Sequence, residues 1–193
     1  MKIITINREY GAGGHSVGNL VAEKLGIEIY DKDILRATAK EFGVDIETIE
    51  QTEETISLGD RIIHAITPMS YDQKDSMYQI QKKIVLELAS KGPCVILGRC
   101  SSQILEEAGI ETLKVFLYSD DVHRAITVGE LINSNDPGEI QRAIRKEDSR
   151  RHSYYTFYTG KKWDDCHNYD LVLNTGMLGF DTAADIICKA VSE

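Results

Sequence analysis

Short apolar runs alternate with amphipathic stretches along the whole chain. Five of these runs are rich in β-branched and apolar side chains and have the length of one buried strand: residues 2–7, 27–30, 94–97, 113–118 and 171–173. Short apolar strands that alternate with helices are typical of parallel sheets covered on both faces. The pattern therefore predicts an α/β fold built on a parallel sheet.

A spacing of about 3.6 residues between apolar side chains predicts helices between these strands. In residues 15–25 the apolar positions fall at i, i+3, i+4 and i+8, which places them on one helix face. Further helices are predicted over residues 31–42, 45–55, 71–91 and 180–191. Because neither a repeat nor a linker interrupts this alternation, we expect one domain over residues 1–193.

The composition limits the partners of this domain. The chain has 22 basic and 31 acidic residues, a formal net charge of −9, so we expect neither a nucleic-acid partner nor an anionic membrane surface. No apolar run reaches the roughly 18 residues of a membrane span, and the first residues lack a signal-peptide pattern. Four scattered cysteines without C-x-x-C spacing indicate a reducing compartment, and we expect a cytoplasmic protein.

One segment departs from this acidic composition. Residues 142–162 contain seven basic and two acidic residues, a local charge of +5. Arg142, Arg145 and Arg150 recur at helical spacing, so they can share one helix face. The sequence leaves open whether that face is only solvated or whether it faces an anion.

Candidate site residues follow four of the predicted strands, the fourth with Ser119 and Asp120. Gly11, Gly13 and Gly14 follow the first strand, and the backbone N–H groups of such a turn and of the next helix can hold phosphate. Asp31 and Arg99 follow the second and third strands. Because ligands of open parallel sheets bind at the carboxyl ends of the strands, the sequence predicts one crevice formed by these residues.

The glycine turn matches the phosphate-binding motif G-x-x-x-x-G-K-[ST] only in part, because no lysine lies between Arg8 and Lys24. One alignment puts Gly14 at the lysine position and Ser16 at the hydroxyl position. A second alignment puts His15 at the lysine position. We prefer the first alignment because it keeps two glycines in register.

The run Arg-Glu-Tyr-Gly-Ala-Gly-Gly-His-Ser-Val-Gly at residues 8–18 resembles the start of the cytidylate kinase-like family, whose loop typically reads R-x-Y-G-S-G-G-R-x-I-G. Later landmarks agree: Tyr-Asp-Lys-Asp at 30–33, Val-Ile-Leu-Gly-Arg-Cys at 95–100, Tyr-Tyr-x-x-Tyr-Thr-Gly-Lys-Lys-Trp at 154–163 and Asn-Tyr-Asp-Leu at 168–171. The similarity extends from residue 3 to about residue 187.

This resemblance implies a P-loop NTPase-type three-layer fold with a five-stranded parallel sheet, similar to nucleoside monophosphate kinases. It also implies a helical acceptor-binding segment at about 32–91 and a basic lid-like segment at about 136–165. The implied activity is ATP-dependent phosphoryl transfer to a small acceptor, first of all a nucleoside monophosphate such as CMP. ATP and Mg²⁺ are the implied cofactors, and a nucleotide is the implied substrate.

On the donor side, the resemblance assigns the phosphates of ATP to the loop. Gly11, Gly13 and Gly14 would surround these phosphates, with His15 at the start of the following helix. The hydroxyl of Ser16 would reach Mg²⁺.

On the acceptor side, the resemblance assigns the acceptor phosphate to Arg99 and an orienting role to Asp31, which would act on the acceptor or on metal-bound water. Arg145, Arg150 and Arg151 lie where the lid supplies arginines. Phosphoryl transfer requires such groups because it depends mostly on positioning and charge neutralisation.

Two features of the loop concern charge. The loop lysine is missing, as in the family generally, so either Arg8 or a lid arginine supplies that positive charge, or the donor phosphates bind differently. His15 replaces the usual arginine of the family, and a histidine is mostly neutral at pH 7. These losses leave two further hypotheses open: a nucleotide-binding sensor or partner module with weak or no turnover, and a kinase of another small metabolite.

Aromatic residues cluster at the end of the basic segment, namely Tyr154, Tyr155, Tyr158 and Trp163. Such a cluster can stack on a nucleotide base, pack a lid, or form the contact of a homodimer. The sequence leaves these three roles open.

Overall fold

A five-stranded parallel sheet forms the centre of the fold. The computed structural model describes residues 3–31, 34, 36, 37, 40, 43 and 71–192. The strands are β1 (Ile3–Arg8), β2 (Glu28–Tyr30), β3 (Cys94–Leu97), β4 (Thr112–Tyr118) and β5 (Leu171–Asn174). They lie in the order β2-β3-β1-β4-β5, and all four pairings are parallel. The predicted sheet is confirmed, with each strand within one residue of its predicted bounds.

Helices connect the strands and cover the sheet. They are α1 (Gly14–Leu25), α2 (Tyr71–Ser90), α3 (Ser101–Glu107), α4 (Asp121–Ile132), α5 (Pro137–Thr159), α6 (Thr175–Leu178) and α7 (Phe180–Ser192). The predicted helix at 45–55 lies outside the described residues, as do most of the predicted helix at 31–42 and much of the acceptor-binding segment predicted at about 32–91. Among the described helices, none is long and apolar enough to cross a membrane.

Alternate side chains of β1 enter two separate cores. Ile4 and Ile6 are fully buried on the face covered by α1 and α7. Ile3 is buried on the opposite face, together with Val85 of α2 and Tyr155 of α5. Burial of one such side chain contributes about 1.5–3 kcal/mol, so two filled cores hold the sheet between two helical layers. The predicted three-layer fold is confirmed.

Helix α5 contains most of the basic segment. Asp136 caps its first turn by accepting a hydrogen bond from the Gly138 N–H, Pro137 is its first residue, and Gly160 ends it in a left-handed conformation. Its apolar residues Ile140 and Ile144 pack against α4. The segment predicted as a lid at about 136–165 is therefore one 23-residue helix and the turn that follows it.

Candidate functional site

The loop between β1 and α1 requires glycine at two positions. Gly11 and Gly13 have φ angles of 85° and 71°, a left-handed conformation that side chains rarely adopt. A Cβ on Gly11 would lie 2.9 Å from the carbonyl oxygen of Arg124, and a Cβ on Gly13 would overlap the ring of Phe180. Gly13 also caps α1, whose first turn contains no acidic residue. The loop and the positive end of the helix dipole therefore suit an anion.

A hydroxyl fixes this loop to the end of the sheet. Thr175, which is 3% exposed, donates hydrogen bonds to the carbonyl oxygens of Ala12 and Tyr118 at 3.0 and 3.2 Å. Because Tyr118 ends β4, the loop is tied to a second strand. These contacts hold the backbone N–H groups of the loop in place without a ligand.

Arg8 occupies the space between this loop and the turn after β3. A Cβ on Gly14 would lie 2.5 Å from its Cγ, and a Cβ on Gly98 would lie 2.5 Å from its Nη1. Its Nη2 lies 3.7 Å from Oδ1 of Asp31, and Oδ2 of the same carboxylate lies 3.4 Å from Nδ1 of His15. The structure therefore places three predicted site residues in one chain of contacts.

A pocket opens where the carboxyl ends of β1 and β3 meet α5. It is lined by Asn7, Arg8, Gly98, Arg99, Cys100, Arg150, Arg151, Tyr154, Tyr155 and Trp163. Burial lowers the pKa of the Arg8 guanidinium from its ordinary value, and the charges of Arg99 and Arg150 act in the same direction. Four arginines at one pocket, in a chain of net charge −9, fit a small ligand with several negative charges.

The turn after β3 presents Arg99 to this pocket. Gly98, Arg99 and Cys100 have φ angles of 68°, 58° and 53°, so three consecutive residues are left-handed. A non-glycine residue in this region costs on the order of 1–3 kcal/mol, and such residues concentrate at functional sites. Arg99 thus holds a conformation that the fold must stabilise by other contacts.

Helix α5 brings Arg150 and Arg151 to the pocket but leaves Arg145 outside it. Its inward stripe contains Ile144, Arg151 and Tyr155, and Arg145 lies one position past that stripe, where it is exposed. Helical spacing alone does not define which face turns inward. The expected lid charge of Arg145 is therefore absent from the pocket that the described residues form.

The two arginines that α5 brings to the pocket are held by contacts to the end of β1 and along their own helix. Arg151 donates a hydrogen bond from Nη1 to the carbonyl oxygen of Arg8 at 3.0 Å, and its guanidinium carbon lies 5.4 Å from the ring centre of Tyr10. Arg150 donates from Nη2 to Oε2 of Glu147 at 2.9 Å. Both arginines therefore occupy defined positions on the pocket wall.

A buried ion-pair network that sequence analysis missed joins the loop to α4 and α5. Arg124, only 7% exposed, pairs with Asp148, lies 3.4 Å from Oε2 of Glu9 and donates from Nε to the carbonyl oxygen of Tyr10 at 2.8 Å. The Tyr10 N–H donates to Oδ1 of Asp148 at 2.7 Å. The sequence contains one indication of this network: Asp148 is one of only two acidic residues in the basic segment at 142–162.

The aromatic cluster packs α5 against α2. Tyr154 is buried and donates a hydrogen bond from its hydroxyl to Oε1 of the fully buried Gln81 at 2.5 Å. Tyr158 stacks on Tyr78 with ring centres 4.1 Å apart. Burial raises the pKa of Tyr155 to about 12. Among the three roles left open by the sequence, these contacts match packing of the lid.

Ser16 is accessible to a metal ion bound at the loop. It is the third residue of α1, it is exposed, and it follows the left-handed Gly13 at the helix start. A hydroxyl in this position fits Mg²⁺, an ion that takes oxygen ligands and keeps several bound waters. His15, with 67% of its side chain exposed, lies beside it and contacts Asp31.

A second cavity adjoins the loop near Gly11. Residues from the loop, the turn after β4, α4, α6 and the start of α7 line it, namely Gly11, Ser119, His123, Thr127, Thr175, Gly176, Gly179 and Phe180. The loop therefore has a cavity at Gly11 and the arginine pocket at Arg8.

A parallel sheet in this strand order, a glycine loop that opens a helix and an adjoining arginine pocket together define a P-loop kinase, a nucleotide-binding transferase. The chain belongs to the cytidylate kinase-like family, whose profile matches residues 3–177. It is 28% identical over 189 residues to a protein of Archaeoglobus fulgidus named cytidylate kinase, and the match covers 97% of this chain and 93% of that protein. The family suggested by the sequence motifs is thus confirmed.

Solved structures agree with this assignment of the fold. An uncharacterized protein from Eubacterium ventriosum superposes with a TM-score of 0.76 at 26% identity, over 100% of this chain and 99% of that one. Shikimate kinase from Bacteroides thetaiotaomicron superposes with a TM-score of 0.59 at 10% identity, again over 100% and 99%. At such low identity the second likeness shows a shared fold, and the family supports a phosphotransferase activity.

Proposed function

We propose that this protein transfers the γ-phosphoryl group of ATP to the phosphate of a small acceptor, and that the acceptor is a nucleoside monophosphate, with CMP as the first candidate. The arginine pocket beside the glycine loop carries this proposal. A phosphorylated acceptor needs several cations, whereas an acceptor that offers only a hydroxyl group does not. The choice of CMP comes from the relative named cytidylate kinase.

The loop side of the site would hold the donor. Gly11, Gly13 and Gly14 would bind the phosphates of ATP through backbone N–H groups, since the two left-handed glycines leave space for close approach. Bound Mg²⁺ would neutralise phosphate charge, and the exposed Ser16 hydroxyl would hold it. His15 would contribute to the same end of α1.

The pocket side would hold the acceptor. Arg99 and Arg150 would bind its phosphate, and Arg151 would add charge while it holds the backbone of Arg8. Asp31, between Arg8 and His15, would orient the acceptor or metal-bound water. Guanidinium groups fixed in this way stabilise the transferring phosphoryl group without reorganisation during the reaction.

The test is ADP release from ATP and Mg²⁺ with a panel of acceptors: CMP, UMP, AMP, GMP and shikimate. The matched variants are Arg99→Gly and Arg142→Met. Glycine suits the φ of 58° at residue 99, so the first variant removes a pocket charge with little loss of stability. The second removes a charge from the exposed face of α5. We expect turnover with a monophosphate that falls about 100-fold in Arg99→Gly and stays unchanged in Arg142→Met.

Each other outcome identifies a different function. Turnover with shikimate alone would indicate a kinase of hydroxylated metabolites. Absence of turnover with every acceptor, while ATP still raises the melting temperature, would indicate a nucleotide-binding module. In that case, the missing loop lysine would be the first explanation for the absence of turnover.

A further inference from the structure

We propose that Arg8 is the loop cation of this enzyme: it replaces the missing lysine and contacts the transferred phosphoryl group between the donor loop and the acceptor pocket. The inference rests on the proposed phosphoryl transfer and names the residue of β1 that contacts the transferred group. The structure supports it by the steric role of Gly14, by the reach of the Arg8 side chain and by the charges around it.

The Arg8 side chain, and not the backbone conformation, restricts position 14 to glycine. Gly14 is the first residue of α1, and unlike Gly11 and Gly13 it does not have a positive φ. Any residue could adopt its backbone conformation. A Cβ there would nevertheless lie 2.5, 2.9 and 3.1 Å from Cγ, Cδ and Cβ of Arg8. The Arg8 side chain therefore fills the space beside the position that aligns with the motif lysine.

The same side chain reaches the acceptor pocket. Its stem lies against Gly14 at the loop, and Nη1 lies against Gly98 at the turn after β3. The pocket lining contains both Arg8 and Arg99. A phosphoryl group that passes from the loop to this pocket would therefore meet the Arg8 guanidinium at the boundary between them.

The surroundings of Arg8 favour an anion at its guanidinium. Asp31 forms an ion pair with Arg8 at 3.7 Å from Nη2, longer than a hydrogen bond, and the Arg8 side chain is 18% exposed. Burial lowers the pKa of Arg8; the carboxylates of Asp31 and Glu147 oppose this shift, whereas the charges of Arg99 and Arg150 add to it. An anion bound among these arginines would offset their mutual repulsion and replace the water that burial has removed.

A charge-relocation experiment tests the proposal on the full chain. The variants are Arg8→Met, Arg8→Ala, Gly14→Lys and the double variant Arg8→Ala/Gly14→Lys, with Arg142→Met as the control. Methionine keeps a stem against Gly14 and removes the charge. We expect kcat to fall about 100-fold in Arg8→Met, and the double variant to recover at least about tenfold over Arg8→Ala, because lysine then fills the vacated space.

Gly14→Lys alone should lose both activity and melting temperature, since the two long side chains compete for one space. If Arg8→Ala fails to fold, a double variant that folds and turns over still supports the inference. A double variant no better than Arg8→Ala, or an Arg8→Met kcat within about threefold of the natural protein, would overturn it.

Equilibrium binding of nucleotides tests the role of Arg8 without requiring turnover, and therefore independently of the proposed function. ATP and ADP are titrated with Mg²⁺ and without an acceptor. Because ATP alone carries the transferable phosphoryl group, we expect Arg8→Met to weaken ATP about tenfold and ADP by less than about threefold. If the natural protein turns over no acceptor, the proposed function fails while this ATP-specific loss still supports the Arg8 assignment. Equal losses for ATP and ADP would contradict that assignment.

Discussion

Glycines with the same left-handed backbone have different surroundings in this chain. Gly13 has a φ of 71° and faces the ring of Phe180, whereas Gly26 has a φ of 64° and no heavy atom within 4 Å of a built Cβ. The two glycines cap opposite ends of α1, Gly13 at its start and Gly26 at its end. A side chain at Gly26 would destabilise the fold only through its left-handed backbone, whereas a side chain at Gly13 would also overlap Phe180.

We expect Gly26→Ala to lower the free energy of unfolding by about 1 kcal/mol and Gly13→Ala to lower it by about 2–4 kcal/mol. The first value is the cost of a left-handed alanine, and the second adds the overlap with Phe180. Urea denaturation of both variants measures the difference. Phe180→Ala combined with Gly13→Ala should reduce that difference, and equal losses in the two single variants would show that Phe180 moves aside freely.

At the level of single residues, sequence analysis identified the loop and Arg99 but could not orient the lid. Residues that directly follow apolar strands lie at a predictable edge of the sheet, which is why Asp31 contacts Arg8 and why Arg99 lines one pocket with Arg8. Arg145 and Arg150 both belong to the set with helical spacing, yet the pocket lining contains Arg150 and not Arg145, and only the packing of Ile144 against α4 shows how the helix is turned. Periodicity defines the width of a helix face, whereas its direction depends on tertiary contacts.

At the level of elements, α5 is fixed to the glycine loop between β1 and α1 by side-chain contacts. Asp148 of α5 accepts a hydrogen bond from the Tyr10 N–H and pairs with the buried Arg124 of α4. A moving lid needs weak contacts, but this helix also packs at its C-terminal half through Tyr154 and Tyr155. Its arginines are therefore positioned in advance.

Asp148→Ala should uncouple α5 from the loop. We expect a loss of about 2–3 kcal/mol in the free energy of unfolding, because Arg124 would keep a buried charge without this partner, although Asp148 itself is 21% exposed. The Tyr10 amide should also lose protection from hydrogen exchange. Asp136→Ala is the control: it removes a cap of the same helix, costs about 1 kcal/mol and should leave the Tyr10 amide protected. An unchanged Tyr10 amide in Asp148→Ala would contradict the coupling.

The elements themselves were predicted unevenly, for reasons that lie in their exposure. Strands β1 and β3 are buried along nearly their whole length, and burial on both faces leaves a continuous apolar run that locates them closely. The edge strands β2 and β5 are only partly buried, and their short apolar runs were sufficient to locate them. No bounds were predicted for α4, because its apolar side chains do not all lie on one buried face: Val122, Ile126 and Leu131 are 68%, 59% and 64% exposed. Its buried residues are Val128 and Arg124, and the partners of Arg124 come from distant parts of the chain.

At the scale of the whole molecule, charge is distributed unevenly. The net charge is −9, yet four arginines line one pocket. Asp31 and Glu147 offset part of this local charge. Net charge therefore predicts little about the ligand of such a protein, whereas the local charge of +5 over residues 142–162 left an anion-facing surface as one of two open interpretations.

Binding of inorganic phosphate to the pocket should weaken as the ionic strength rises, and the slope of this salt dependence should fall when a pocket arginine is removed. Raising the salt concentration from about 0.1 M to about 1 M shortens the Debye length from about 10 Å to about 3 Å, so we expect phosphate affinity to fall about tenfold. Melting temperature against phosphate concentration gives that affinity at each salt level. Arg99→Gly should bind more weakly and show a shallower salt dependence, while Arg142→Met should match the natural protein. Equal salt dependence in all three would place phosphate outside the pocket.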